Sequence, residues 1–208
     1  MEHRTRDRST RGRARPGRDV LDRRARDEED RVIEDLGLRG VALLRGARHH
    51  DERGFLRKVL VTEEARTHGL DTTVAEVVTT SNEAAGTIRG MHYQVAPAAE
   101  VKTLWVTDGS LLDVLVDLRP DEPTFGRWIA VELSAKDDVA LHVPAGIAHG
   151  YQTLEDDTRL TYLISAGHSP EHARTLRWDD PTVGIEWPLP PTRISAKDRE
   201  GHPWPPTP

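Results

Sequence analysis

The feature that most constrains the fold of this chain is a series of short β-type segments separated by turn signals. Each segment is rich in β-branched and apolar residues that alternate with polar ones, and little helical periodicity interrupts the series. The six clearest runs are TVAEVVTT (73–80), VKTLWV (101–106), SLLDVLVD (110–117), RWIAVELS (127–134), VALHVPAGIAHGYQTL (139–154) and TRLTYLIS (158–165). This spacing predicts a mainly all-β fold, and we expect a jelly-roll β-barrel with a polar pocket inside.

Composition narrows the class of protein further. The chain of 208 residues has no Cys, which excludes disulfides, a thiolate nucleophile and Cys-ligated zinc. It has no apolar run near the roughly 18 residues of a membrane span, and its N-terminus lacks the apolar region of a signal peptide. The net charge of −6 argues against a nucleic-acid-binding body. We therefore expect a cytoplasmic protein with neither a membrane nor a nucleic acid as its partner.

The chain divides into three predicted parts. Residues 1–30 contain ten Arg and eight acidic residues with almost nothing apolar, which predicts a disordered charged tail. Residues 31–188 form the predicted barrel domain. Pro becomes dense after Ser165, which favours an extended arm over a helix, and residues 189–208 are the predicted Pro-rich C-terminal extension.

A first predicted hairpin turns at Asp108-Gly109, between two alternating apolar runs. In that register Leu104 lies opposite Asp113, so Lys102 and Asp113 share one face at a diagonal spacing. The pair fits a structural ion pair, and it equally fits an ammonium group that points into a cavity and is held by a carboxylate.

A second predicted hairpin pairs the run ending at Thr153 with the run beginning at Thr158. Its register puts His149, Tyr151 and Tyr162 on one face. Such a set is compatible with amphipathic core filling and with a polar pocket.

Arg89 and His92, three residues apart in GTIRGMHYQ, would point to opposite faces of a regular strand. Gly90 between them is the expected place for a β-bulge that re-aims one of the two side chains. From this segment alone His92 fits either a packed core histidine or a catalytic base. Arg53, in the segment DERGF, fits by itself a surface turn residue.

A pocket with His, Lys and Tyr side chains suits proton abstraction beside a carbonyl group. A neutral imidazole can take a carbon-bound proton, an ammonium group can stabilise the enolate oxygen, and a phenol on the opposite side can return a proton. We expect no metal ion, because His92 is not part of a His-x-His pair and Lys102 adds a positive charge. The sequence also lacks GxGxxG, P-loop and GxSxG motifs.

Several motifs resemble the dTDP-4-dehydrorhamnose 3,5-epimerase family, in the right order and with near-fixed spacings over residues 51–199. They are Arg89-Gly-Met-His92-Tyr-Gln94, Lys102, Asp113 to Arg119, Pro123-Thr-Phe-Gly126, Val143-Pro-Ala-Gly-Ile-Ala-His149-Gly150, Trp178-Asp-Asp-Pro181, Gly184-Ile-Glu-Trp-Pro188 and Ser195-Ala-Lys-Asp198. The resemblance implies a cupin-type jelly roll with short helices and an extended C-terminal arm. It further implies a homodimer without metal or cofactor that acts on dTDP-4-keto-6-deoxyhexoses.

The resemblance also implies a role for each matching residue. The catalytic set is His92 as general base, Asp198 as its carboxylate partner, Lys102 as the enolate-stabilising residue and Tyr162 as general acid. The residues implied near the nucleotide diphosphate and the substrate are Arg53 and Arg89. The other substrate-side positions are Gln94, Asp113, His149 and His168.

The sequence departs from the family pattern at four positions. Val77 and Thr79 stand where the family often has Gln and Asn, His168 replaces a second Tyr, and Ala173 replaces a Glu. These changes leave open whether carbon 3, carbon 5 or both are inverted, and on which nucleotide sugar. A single-carbon epimerase acting on another NDP-4-keto-deoxysugar and a non-catalytic nucleotide-sugar-binding cupin are the alternatives.

Overall fold

The computed structural model describes residues 32–206, so the tail predicted at 1–30 lies outside the described residues. The elements are β1 (Val32–Asp35), β2 (Ala42–Arg45), β3 (Arg48–Asp51), β4 (Gly54–Arg57), α1 (Thr62–Thr67), β5 (Glu76–Asn82), β6 (Thr87–Gln94), β7 (Lys102–Asp108), β8 (Ser110–Asp117), β9 (Trp128–Ser134), β10 (Val139–Val143), β11 (Ile147–Thr153), β12 (Thr158–Ile164), β13 (Ala173–Thr175), β14 (Arg193–Ile194) and α2 (Ala196–Arg199). Within this part of the chain, neither helix is long and apolar enough to cross a bilayer.

Two facing sheets form the body of the protein. Sheet 1 has the strand order β1-β2-β10-β7-β12-β5, and sheet 2 has the order β13-β6-β11-β8-β9 with β14 beside β6. All strand pairs are antiparallel except that of β14 with β6. A hairpin of β3 and β4 stands apart from both sheets. The prediction of a mainly all-β, jelly-roll fold is confirmed.

Both predicted hairpins are wrong as strand pairs. β7 belongs to sheet 1 and β8 to sheet 2, and β11 and β12 are divided in the same way. Leu104 therefore pairs with Leu141 and Tyr162, while Asp113 pairs with Tyr151 and Val131. The turn at Gly109 does reverse the chain, with a φ of 72°. The alternation of apolar and polar residues shows only that one face of each strand is buried. The two strands of each predicted hairpin bury that face in the same core, but from opposite sheets.

The central strand β8 is buried along its whole length. Leu111 and Leu115 belong to the core between the two sheets, whereas Leu112 and Val114 belong to a second core on the outer face of sheet 2. The C-terminal arm covers that outer face with residues 176–204. This double burial explains why the sequence SLLDVLVD is nearly continuous in apolar residues.

The C-terminal arm is extended, as its Pro content predicts. It contains β13, the two-residue strand β14 and the single-turn helix α2. Trp187 and Trp204 pack against the second core, and Trp187 Nε1 donates a hydrogen bond to the carbonyl oxygen of Trp178. Two of the three tryptophans of the arm are thus partly buried against this chain's own sheet.

A β-bulge at Gly90 is confirmed. His149 pairs with His92 and Tyr151 pairs with Arg89, so β6 uses one more residue than β11 between the two pairs. Gly90 has a φ of 130°, and a Cβ atom there would lie 2.4 Å from the Cα atom of Gly150. Paired residues share a face, so the extra residue brings Arg89 and His92 to the same side of the sheet.

A third core lies on the outer face of sheet 1, beneath α1 and the segment after it. His142 of β10 is buried there at 2% exposure, with its Nδ1 atom 3.0 Å from Thr103 Oγ1. Burial lowers the pKa of His142 to about 4, although the nearby Asp71 carboxylate opposes this shift. The imidazole is therefore neutral in the folded protein near pH 7.

We expect His142 to make the protein less stable in mild acid. Its folded pKa lies below the unfolded value of 6.5, so the unfolded chain binds the extra proton between pH 6.5 and about 4. The free energy of unfolding should fall by about 3 kcal/mol as the pH decreases through this window. Urea unfolding of the wild type and of His142→Gln at several pH values measures it.

The variant should lack this part of the pH dependence. His202→Gln, at an exposed position, serves as the matched control and should follow the wild type. Equal slopes for wild type and His142→Gln would contradict the assignment.

Candidate active site

The polar residues singled out in the sequence lie mainly between the two sheets. The inner face of sheet 2 carries His92, Arg89, His149, Tyr151 and Asp113, which the register places on one side. Across the core, the inner face of sheet 1 contributes Lys102 and Tyr162, both buried. The residues predicted from two incorrect hairpins, together with Arg89 and His92, are therefore brought together by two facing sheets.

His92 forms a tight pair with Asp198 of the C-terminal arm. The His92 Nε2 atom lies 2.6 Å from Asp198 Oδ1, and the backbone N–H of Gly90 donates to Asp198 Oδ2 at 3.3 Å. Ser195 caps α2 by accepting a hydrogen bond from the Asp198 N–H. Burial raises the pKa of the Asp198 carboxyl, but the His92 and Gly90 hydrogen bonds outweigh it and the net shift is downward. Asp198 is therefore a carboxylate.

His92 is reachable from outside the barrel. Its side chain is 38% exposed, compared with 5% for that of Asp198. It lines an open cleft of about 690 Å³ together with Arg89, Asn82 and residues of the arm from Thr192 to Arg199. A ligand in this cleft can contact the imidazole.

The ion-pair partner of Lys102 is Glu100, which the sequence reading missed. Lys102 Nζ lies 2.9 Å from Glu100 Oε1, and both side chains are nearly buried. Lys102 also donates to the His92 carbonyl oxygen at 3.4 Å. The carboxylate that holds the ammonium group is thus two residues away in sequence, and Asp113 acts on Lys102 only at longer range.

Gln94 connects this pair to the neighbouring loops. Its Nε2 atom donates to Glu100 Oε2 at 3.0 Å and to the carbonyl oxygens of Ala98 and Gly167. Its Oε1 atom accepts a hydrogen bond from the Ser169 N–H at 2.7 Å. The amide therefore fixes Glu100 relative to the turn that carries His168.

His149 and Asp113 form a second, fully buried pair, with Nε2 and Oδ2 2.8 Å apart. Burial raises the pKa of the Asp113 carboxyl, and His149 and Lys102 partly oppose that shift. Within residues 32–206, the other carboxylate oxygen, Oδ1, has no hydrogen-bond partner. This leaves a polar acceptor deep in the barrel.

Tyr162 stands at the edge of this polar group. Its ring meets that of His149 edge-on, with centroids 6.1 Å apart. Burial raises the pKa of the Tyr162 hydroxyl well above its usual value, and the neighbouring Tyr151 and Asp113 act in the same direction. Tyr162 is therefore a protonated phenol near pH 7, as a proton donor must be.

Of the remaining predicted residues, one lies at the cleft and two do not. Arg89 lies at the cleft, where its Nε atom donates to Asn82 Oδ1 at 2.7 Å. Arg53 lies on the β3–β4 hairpin with 83% of its side chain exposed, paired with Asp51. His168 is exposed, and its N–H donates to Glu76. Neither Arg53 nor His168 lines the cleft around His92.

The arrangement suits proton transfer on two sides of one ligand. Sheet 2 carries the imidazole of His92, and sheet 1 carries the phenol of Tyr162 and the ammonium group of Lys102. Among the residues that the structure describes, no three His, Cys, Asp or Glu side chains are grouped closely enough to hold a metal ion.

Comparison with known proteins identifies the family of the chain. The family model of dTDP-4-dehydrorhamnose 3,5-epimerase matches residues 35–205. A protein of that name from Sinorhizobium fredii is 38% identical over 171 residues, which cover 82% of this chain and 88% of the relative.

Solved structures agree with the sequence match. The rmlC epimerase of Mycobacterium tuberculosis superimposes with a TM-score of 0.79 at 31% identity, covering 83% of this chain and 88% of that one. ChmJ, a 3'-monoepimerase from Streptomyces bikiniensis in complex with dTDP-quinovose, gives a TM-score of 0.76 at 32% identity and covers 82% of this chain and 86% of its own. The chain therefore belongs to the dTDP-4-dehydrorhamnose 3,5-epimerase family of isomerases.

Proposed function

We propose that the protein inverts carbon 3, carbon 5 or both of a dTDP-4-keto-6-deoxyhexose. The observation that carries the proposal is the division of the site between two sheets, with the His92–Asp198 pair on one side and Tyr162 and Lys102 on the other. Inversion of a carbon next to a ketone requires a base on one face of the sugar and an acid on the other.

His92 acts as the base through Nδ1. The Asp198 carboxylate accepts a hydrogen bond from Nε2, so the lone pair that takes the carbon-bound proton is the one on Nδ1. The carboxylate also stabilises the imidazolium that forms when a carbon-bound proton is taken. The open cleft beside His92 admits the sugar nucleotide.

Lys102 stabilises the enolate and Tyr162 completes the inversion. The ammonium group is held by Glu100 within the barrel, where a fixed charge acts strongly on a developing oxyanion. The buried, protonated Tyr162 then gives a proton to the opposite face of the carbon. Asp113 and His149 line the sugar pocket between them, and Gln94 supports it by fixing Glu100.

Inversion of a single carbon is the second candidate. The structural relative ChmJ is a 3'-monoepimerase, at 32% identity. In this chain Val77 is 66% exposed on the edge strand β5, next to Thr79, and His168 lies on an exposed turn. These positions differ from the pattern that the family often has, and they lie where nucleotide and sugar contacts are expected.

The nucleotide diphosphate is held by arginines, and the active form is a homodimer. Arg89 lies at the cleft, whereas Arg53 extends from the β3–β4 hairpin beside Phe55 and Leu56, which are 56% and 59% exposed. Apolar side chains on a projecting hairpin suit burial against a second copy of the chain. Arg53 then serves the partner's cleft, where a guanidinium can bind the diphosphate bidentately.

Solvent deuterium exchange tests the reaction itself. In D2O, the wild type should place deuterium at carbon 3, carbon 5 or both of dTDP-4-keto-6-deoxyglucose, and NMR identifies the carbon. His92→Asn should reduce the exchange rate by roughly 10²–10⁴-fold, because the base is removed. His202→Asn is the control and should match the wild type.

Two outcomes would contradict the proposal. If the wild type binds the nucleotide sugar without any exchange, the protein is a binding cupin. If His92→Asn exchanges at the wild-type rate, His92 is not the base.

Substitution of Lys102 tests whether its charge contributes to catalysis or only to the stability of the fold. Lys102→Met should lose about 10²–10³-fold in kcat and should also lower the Tm, because Glu100 is left as a buried charge without its partner. The double variant Lys102→Met with Glu100→Gln should recover the Tm but not the activity. Recovery of both would show that Lys102 acts only in folding.

Co-expression of two inactive variants tests the homodimer. Random pairing of Arg53→Ala and His92→Asn chains makes half of the dimers mixed. If Arg53 serves the partner subunit's site, each mixed dimer contains one intact site of two, and about a quarter of the wild-type rate should return. If Arg53 serves its own chain, no mixed dimer has an intact site and the mixture stays inactive. A monomer in light scattering would reject the dimer directly.

A further inference from the structure

Asn82 is a buried amide that joins the two sheets beside the cleft. It is the last residue of β5 in sheet 1 and is 2% exposed, and its side chain contacts Arg89 of β6 and Tyr151 of β11 in sheet 2. Arg89 itself is exposed and lines the cleft with His92. The contact therefore connects a buried, fixed group to an arginine that a ligand can reach.

The hydrogen bonds of Asn82 fix the orientation of its amide. The Arg89 guanidinium only donates, so the atom that its Nε contacts at 2.7 Å is the oxygen Oδ1. At the other end, Nδ2 donates to the Thr158 carbonyl oxygen at 3.0 Å. Tyr151 donates its hydroxyl proton to the same Oδ1 at 3.3 Å. Turning the amide over would place donor against donor at Arg89 and acceptor against acceptor at Thr158.

The guanidinium of Arg89 is held along one edge and is free along the other. Its Nε donates to Asn82 Oδ1, and its Nη2 donates to the Ser81 carbonyl oxygen at 3.3 Å. The opposite edge consists of Nη1 and the second N–H of Nη2, and within residues 32–206 Nη1 makes no hydrogen bond. Two parallel N–H groups on one edge are the geometry that binds two oxygens of a phosphate group at once.

Both acceptors that hold Arg89 are uncharged. Arg119 presents the same edge, Nε and Nη2, to the two oxygens of the Asp117 carboxylate. Among the residues that the structure describes, Arg89 has no such carboxylate partner. An amide oxygen and a backbone carbonyl oxygen orient the guanidinium, but they leave its positive charge available to a ligand.

The charge of the cleft around Arg89 suits an anionic ligand. Its lining includes four cationic side chains and two carboxylates. Both carboxylates are already paired, Glu83 with Arg193 at 3.0 Å and Asp198 with His92. The other cationic side chains of the lining are Arg89, Lys197 and Arg199. This excess of positive charge attracts a ligand such as a diphosphate.

We propose that Asn82 is a positioning residue of the nucleotide diphosphate site, which holds the Arg89 guanidinium so that its free, fully charged edge binds the phosphate oxygens. The inference rests on the proposed function, in which Arg89 binds the diphosphate. Asn82 lies behind the guanidinium and acts on the ligand only through Arg89. A side chain that is ordered before the ligand arrives loses less entropy on binding.

Such a role affects binding and leaves the chemical step unchanged. Arg89 takes no part in the proposed proton transfer, so a misplaced guanidinium raises KM and weakens nucleotide binding while kcat is kept. A general loss of packing would instead lower the Tm and kcat together. The effect of Asn82 on binding should also disappear when Arg89 is absent, because Asn82 acts through it.

Calorimetric titration of the full-length protein with dTDP tests the inference. Arg89→Ala should weaken dTDP binding by about tenfold or more, because a charge-assisted bidentate contact is lost. Asn82→Ala should weaken it by about three- to tenfold, and should have no further effect in the Arg89→Ala background. In the deuterium exchange assay, Asn82→Ala should raise KM by a similar factor and keep kcat within about twofold of the wild type.

A second variant keeps the size of the side chain and carries the test if Asn82→Ala does not fold. Asn82→Asp still accepts a hydrogen bond from Arg89, but its carboxylate compensates the positive charge, so dTDP binding should weaken by about threefold or more. The matched control is Arg159→Ala, at an exposed arginine of β12 that does not line the cleft. It should bind dTDP like the wild type.

The outcomes separate this inference from the proposed function. Wild-type dTDP affinity in either folded Asn82 variant overturns the inference. An equal loss of affinity from Asn82→Ala with and without Arg89 shows that Asn82 acts only on the fold, which also overturns it. In both cases a wild type that exchanges deuterium leaves the epimerase standing. A wild type that binds dTDP but exchanges no deuterium overturns the epimerase, while weaker dTDP binding in Asn82→Ala still supports the role of Asn82.

Discussion

At Gly90 and Gly150 two backbones approach so closely that neither position has room for a side chain. A Cβ atom on Gly90 would lie 2.4 Å from the Gly150 Cα atom, and one on Gly150 would lie 2.8 Å from the Arg89 carbonyl oxygen. This contact allows the bulge in β6, and the bulge puts Arg89 and His92 on one face. The Gly90 N–H also donates to Asp198, so one backbone irregularity orients both members of the histidine–carboxylate pair.

Polar side chains inside the barrel lower the stability of the fold unless they are paired with one another. Buried charges and hydroxyls cost free energy unless they have hydrogen-bond partners, and the polar side chains between the sheets are largely paired. Glu100 forms an ion pair with Lys102, and Asp113 is hydrogen-bonded to His149. Asn82 accepts a hydrogen bond from the Tyr151 hydroxyl. Leucine and valine side chains from both sheets fill the rest of the same core. The barrel is thus divided into an apolar part that stabilises the fold and a polar part in which the side chains have fixed orientations.

The C-terminal arm links the second core to the site. Leu176, Val183 and Trp187 cover the outer face of sheet 2, and further along the arm Asp198 reaches His92. Packing of the apolar residues therefore positions a carboxylate more than a hundred positions away in sequence from its histidine. Removing the arm would expose the outer core and leave His92 without its partner.

Sequence alone was enough to locate the strands and the bulge. Period-two alternation and turn residues depend on local backbone geometry, which is why the runs at 127–134 and 139–154 and the irregularity at Gly90 were predicted correctly. Motif spacing likewise identified the family, and the resemblance is the source of the proposed catalytic set of His92, Lys102, Tyr162 and Asp198.

Only the tertiary structure decided which strands pair and which side chains meet. A strand with alternating apolar and polar residues fits either sheet, so this pattern alone does not indicate that β7 and β8 separate, or that β11 and β12 do. The Glu100 partner of Lys102 and the contacts of Tyr151 with Thr80 and Asn82 depend on that choice of sheets. Local pattern determines which residues face inward, and the long-range packing of the two sheets determines what they face.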